Sequence, residues 1–77
     1  MVDVAAIQEH AEVLGSDGAH VGTVDHVDNG EIKLTKKDAT AGGLHHYIPV
    51  DFVRAIEGGK VHLDRPAEEV MREWSTS

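Results

Sequence analysis

Turn signals containing glycine recur along this chain at intervals that leave room only for brief strands between them. Gly15-Ser16-Asp17-Gly18 ends in Asp-Gly, Asp28-Asn29-Gly30 ends in Asn-Gly, and Gly58-Gly59 follows. Asp-Gly and Asn-Gly tolerate the positive φ that tight hairpin turns demand, so each marks a reversal of the chain. Between them lie Ala19 to Val27, Glu31 to Thr35, His45 to Pro49, Val53 to Glu57 and Lys60 to Leu63, several of them rich in β-branched residues. With a leading strand from Glu12, this predicts a mainly β fold of five to six short antiparallel strands, a small sheet closed on itself as a β-barrel.

Alternation supports two of these strands directly. Ile32 and Leu34 share one face opposite Glu31, Lys33 and Thr35, and Val61 and Leu63 share a face opposite Lys60 and His62. In the strand before Asn29 the pattern slips, because Val21 and Val24 are three apart with Gly22 between them. A period-2 strand cannot bury both without a bulge or bend, which glycine permits and barrel corners require.

The ends read differently. Val4, Ile7 and Ala11 at helical spacing, with Asp3 as N-cap, predict a short N-terminal helical turn. Pro66 at a helix start, Glu68 and Glu69 in the first turn, and a stripe of Ala67, Val70, Met71 and Trp74 predict a helix over 66–74. Ser75-Thr76-Ser77 reads as a frayed tail, and Lys37 to Leu44, small and polar with paired glycines, as a surface excursion. The whole is one domain over residues 1–77, with its β core over 12–63.

Seventy-seven residues without cysteine form a thin core with no disulfide or thiolate metal site to reinforce it. Self-association is the usual remedy, so a homo-oligomer, a dimer first, is expected. The exposed-looking stripe of Val70, Met71 and Trp74 is the candidate interaction face. Seven Lys plus Arg against fourteen Asp plus Glu give a net charge of −7. Phosphate backbones repel such a field, and Glu31 and Asp38 flank the one basic patch, Lys33, Lys36 and Lys37, so no nucleic-acid partner is expected. No apolar run approaches the roughly 20 residues of a membrane span. The opening Met-Val-Asp lacks a secretory signal's basic and apolar stretches, and a cytoplasmic location is expected.

Six histidines invite a metal reading. Zinc held by histidine alone needs three or four converging imidazoles, but His45 and His46 are adjacent and point to opposite faces of a strand. His26, His46 and His62 remain as candidates on neighbouring strands, though nothing in their spacing compels convergence. Asp25 to Lys36 fails as a calcium loop, with Val27 at the third position and Lys36 at the twelfth. Ser16, Ser75 and Ser77 lie in a turn and a tail, and Thr23 and Thr35 have no catalytic motif around them. No glycine pattern cradles a nucleotide. No cofactor and no enzymatic activity are expected.

Two segments together resemble the PRC-barrel family. Val13-Leu14-Gly15-Ser16-Asp17-Gly18-Ala19-His20-Val21-Gly22-Thr23-Val24 is similar to its opening signature, a strand, an Asp-Gly turn and Val-Gly-x-Val. Tyr47-Ile48-Pro49-Val50-Asp51-Phe52-Val53, followed by Lys60-Val61-His62-Leu63, is similar to its second half. The chain also resembles short bacterial proteins of unknown function related to that family. The resemblance implies a compact barrel that contacts proteins, as in the photosynthetic reaction centre's H subunit and a ribosome-maturation factor, with no catalytic residues to carry over. Gly15, Asp17, Gly18, Gly22, Pro49 and Asp51 then read as turn and bend makers, as do Asn29 and Gly30 of the second hairpin. The function expected is a non-enzymatic protein-interaction or assembly module. The alternative is a small-ligand or metal-sensing domain using surface histidines.

Overall fold

The fold is that of a computed structural model describing residues 6–28, 30–38 and 41–76. Strands β1 (Glu12–Leu14), β2 (His20–Asp28), β3 (Glu31–Leu34) and β4 (His46–Pro49) are followed by a 3-10 turn at Val50–Phe52. Then come β5 (Val53–Glu57), β6 (Lys60–Leu63), α1 (Ala67–Glu73) and β7 (Ser75–Thr76). The expected strands are thus present within a residue or two. Gly18, Gly30, Gly58 and Gly59 at their turns all have positive φ.

The strands form one sheet in the order β5-β6-β1-β2-β3-β4-β7. This corrects the closed barrel: the order has two ends, β5 and β7. Beyond Pro49 the chain rounds the corner from β4 to β5 through the 3-10 turn, and no ladder joins these two strands among the described residues. Instead α1 lays the buried Ala67 and Val70 into the core. The uniformly antiparallel expectation also needs correction, since β1 pairs β6 in parallel, Glu12 opposite Lys60 and Val13 opposite Val61. Parallel neighbours need a long crossover rather than a tight turn, and everything from Gly15 to Gly59 supplies it.

The slip in β2 becomes two register shifts. Val13 pairs Gly22 and Leu14 pairs His20, so the register with β1 skips Val21; on the other side Val24 pairs Leu34 and His26 pairs Lys33, skipping Asp25. The first shift puts both Val21 and Val24 in the core at 0% exposure. With Val13, Ile32, Leu34, Ile48, Val61, Leu63 and Val70 they form one cluster, each fully buried side chain contributing about 1.5–3 kcal/mol. A Cβ at Gly22 would lie 2.8 Å from Leu34 Cδ1, so its lack of a side chain lets Leu34 pack there.

Three further expectations change. Residues 1–5 of the N-terminal helical reading lie outside the described residues. From Ile7 the chain is an ordered lead-in and not a helix: His10 takes φ 69°, and its N–H donates to Val24 O at 2.7 Å. Ser75 and Thr76 are not a frayed tail but pair with Tyr47 and His46; Ser77 lies outside the described residues. In the 37–44 loop Lys37 and Gly42 to Leu44 are at the surface as expected, but Ala41 anchors it at 3% exposure; residues 39–40 lie outside the described residues.

The turn at Gly15–Gly18 docks on the start of α1. Pro66, the N-cap residue, makes no side-chain cap, and the Ala67 N–H donates instead to Asp17 Oδ1 at 3.3 Å. Asp17 Oδ1 also accepts from Ala19 N–H at 3.2 Å, and Ser16 N–H donates to Arg65 O at 2.9 Å. The bonds from Ala19 and then Ala67 hold the Asp17 carboxyl below its ordinary range. A Cβ on Gly15 would lie 2.9 Å from Ala67 Cα. Gly15→Ala therefore forces α1 off the turn and is expected to destabilise by about 2–3 kcal/mol. Gly18→Ala, at φ 81° with open space around it, should cost only about 1–2 kcal/mol. Urea unfolding of the two variants gives the ranking; a Gly15→Ala protein no less stable than Gly18→Ala would contradict the close approach.

Candidate functional site

The structure does not bring His26, His46 and His62 together. His26 and Lys33 are opposite, and Lys33 is opposite Tyr47, so His26 aligns with the residue after His46. His46 is buried. His62 lies on β6 opposite Leu14 and Ala55, in the other half of the sheet. Among the described residues, no group of three or more His, Cys, Asp or Glu is placed to hold a metal ion.

The stripe on α1 is occupied by its own chain. Val70 is 0% exposed, Met71 packs on the core, and Trp74 stacks on His46 with ring centroids 3.8 Å apart at 15°. His46 Nε2–H donates to Ala41 O at 2.8 Å, and its buried Nδ1 has no hydrogen-bond partner among the described residues. One imidazole thus ties the 41–45 loop to the C-terminal segment. Next to this, Arg65 lies 3.6 Å over the Phe52 ring and bonds Asp64 and Glu73.

The densest polar constellation involves a residue that sequence reasoning did not single out. His20 opens β2, where Nδ1–H donates to Glu12 Oε2 of β1 at 2.9 Å and Nε2–H to Asp38 Oδ2 of the β3–β4 loop at 2.7 Å. Thr23 Oγ1–H donates to the same Asp38 oxygen at 2.9 Å, and Lys60 Nζ of β6 lies 3.4 Å from Glu12 Oε1. Two carboxylate acceptors on one ring match an imidazolium, which has two N–H donors where neutral imidazole has one. The Glu12 bond first, then Asp38, raises the His20 pKa above 6.5 against the opposing effect of burial. His20 and then Lys60 hold the Glu12 carboxyl below 4.5.

This arrangement is a clamp rather than a catalytic triad. A triad base keeps one nitrogen free to take a hydroxyl proton, whereas both His20 nitrogens face carboxylates and the Thr23 hydroxyl donates to Asp38. Glu12 and His20 lie on the paired strands β1 and β2, but Glu12 stands opposite Thr23 and His20 opposite Leu14, so the register shift in β2 sets their contact. Asp38 arrives from a loop whose path no local pattern encodes.

A cleft of about 410 Å³ opens beside the clamp. Thr23 and Asp25 of β2, Thr35, Lys36, Lys37 and Asp38 line it, with His10 and His45 completing the wall. His45 Nδ1–H donates to Leu34 O at 2.9 Å. Among the described residues Lys60, Arg65 and Arg72 have carboxylate partners, and Lys36 and Lys37 have none.

The clamp makes stability depend on pH. A raised folded pKa means the His20 contribution is fully present below 6.5 and lost as pH rises through the folded value. The lowered Glu12 pKa means its contribution is present above 4.5 and lost as pH falls through the folded value. The excess urea stability of wild type over His20→Gln is therefore expected to peak between pH 4.5 and 6.5. An excess that grows above that window would contradict the clamp. Trp74→Ala removes the His46 stack and is expected to cost about 2 kcal/mol, with loss of Ser75 and Thr76 amide protection from exchange.

The model of a family described as "Uncharacterized protein conserved in bacteria (DUF2171)" matches residues 7–71. Neither the curated proteins nor the solved structures yield a match. No helix among the described residues is long and apolar enough to cross a membrane. The match runs from the lead-in before β1 almost to the end of α1, taking in the clamp, the cleft and the core, and the chain belongs to this family of uncharacterized bacterial proteins.

Proposed function

We propose that this chain is a non-enzymatic binding module that takes a small anionic ligand in the cleft between β2 and the β3–β4 loop. The observation that carries the reading is the local relief of negative charge there. On a chain of net charge −7, two adjacent lysines without carboxylate partners among the described residues line one concavity. Two histidines and two threonine hydroxyls line it with them. Of the two aspartates in the wall, Asp38 is compensated by His20 and Thr23, and Asp25 stands 4.0 Å from His26 Nδ1.

The reading sharpens the ligand-binding alternative from the histidines and replaces the assembly module as first choice. Assembly loses the surface that motivated it, since Val70 is buried and Met71 and Trp74 pack on their own chain; the unpaired side of β5 is what still favours a homodimer. Kinship with PRC-barrels is supported by where its two segments fall. One spans β1, the Asp-Gly turn and β2, the other β4, the 3-10 turn, β5 and β6.

Titration of ¹⁵N-labelled protein with sulfate and with inorganic phosphate, at constant ionic strength, tests the site. Saturable shifts are expected at Thr23, Thr35 to Asp38 and His45, and should be lost in the Lys36→Ala/Lys37→Ala double variant. Asp25→Asn should tighten binding. A linear drift over the whole surface, or binding unchanged in the double variant, would overturn the reading.

A further inference from the structure

Clamp and cleft share a residue. Asp38 lines the cleft, and its Oδ2 accepts from His20 Nε2 at 2.7 Å and from Thr23 Oγ1 at 2.9 Å. We infer that the proton on His20 sets the affinity of the cleft for anions by compensating the charge of Asp38. This rests on the anion-binding reading above and adds its regulation.

The formal charges in the wall cancel, Lys36 and Lys37 against Asp25 and Asp38. His20 stands behind Asp38, so an imidazolium tips the site positive and a neutral ring leaves it balanced. Groups facing His20 are Glu12 from β1, Asp38 from the β3–β4 loop and, behind Glu12, Lys60 from β6. Loss of the proton leaves one N–H for two carboxylates. If the N–H stays on Nδ1, the Nε2 lone pair confronts Asp38 and pushes the loop off β2. If it stays on Nε2, Glu12 is released towards Lys60, and Asp38 keeps a neutral donor from this ring where it had an imidazolium. Both outcomes weaken anion binding, so the sign does not depend on which bond survives. The two carboxylates raise the His20 pKa, and the transition falls above the ordinary 6.5.

His10 and His45 also line the cleft, so the wild-type profile alone does not identify the group. Sulfate, whose charge is constant over the range, is the probe, with wild type, His20→Gln and Asp38→Asn titrated from about pH 5.5 to 8.5. Wild-type affinity is expected to fall about fivefold or more as the His20 Cε1–H resonance titrates, and saturating sulfate should move that titration to higher pH by reciprocity. Asp38→Asn is expected to stay tight with this transition gone, and His20→Gln to be weak with it gone. Loss of folding cannot move two variants in opposite directions. An Asp38→Asn protein that keeps the wild-type transition sinks the inference and leaves the anion site standing. No saturable sulfate binding at any pH removes the site itself.

Discussion

The contact on which the rest of the architecture depends is the docking of the Gly15–Gly18 turn onto the first residue of α1. Helix starts carry N–H groups without intrahelical partners, and Pro66 has no side chain to cap them. Asp17 supplies the acceptor from fifty residues upstream in the chain, and Gly15 lets backbone approach backbone. With α1 seated there, Ala67 and Val70 enter the core, Trp74 reaches His46, and the chain continues into the strand that pairs β4. A seven-residue helix is too short to persist on its own; the turn and the core below hold it in place.

That dependence explains which parts of the fold were legible in the sequence. Gly18, Gly30, Gly58 and Gly59 act locally through backbone preference, and the strands they separate follow; Asn29 lies outside the described residues. The Val21/Val24 slip is equally local, since burying both requires an extra residue, and the register shift falls beside Gly22. The parallel β1–β6 pairing is not local. It joins segments more than forty residues apart, and its stabilisation comes from Val13 and Val61 meeting in the core. For the same reason Ser75-Thr76, polar and short, gave no strand signal: its ladder exists because the Trp74–His46 stack delivers it to β4.

The site was legible in a similar measure. Histidine abundance pointed at His26, His46 and His62, but strand geometry separates them by face and by position along the sheet. Their neighbours decide their chemistry: His46 becomes a buried tie between Ala41 O and Trp74, while His20, which no spacing rule singled out, draws two carboxylates. Glu12 stands opposite Thr23 and His20 opposite Leu14, so the hairpin brings their strands together and the register shift in β2 sets the contact. Asp38 reaches the ring through a loop that folds back to bury Ala41.

The clamp also bears on why an acidic chain would hold a positive ring between two of its own carboxylates. Exposed ion pairs contribute little to stability, and the His20 side chain is 36% exposed, so stability alone is a weak reason for the arrangement. Its electrical effect is more specific. Asp38 is only 11% exposed and stands between His20 and the cleft, where screening by solvent is weaker than at the surface. On the inferred regulation, a proton gained or lost on His20 acts on the cleft through Asp38, which touches both. A clamp of this kind matters chiefly through what it does to its neighbour, and that neighbour is the concavity lined by Lys36 and Lys37.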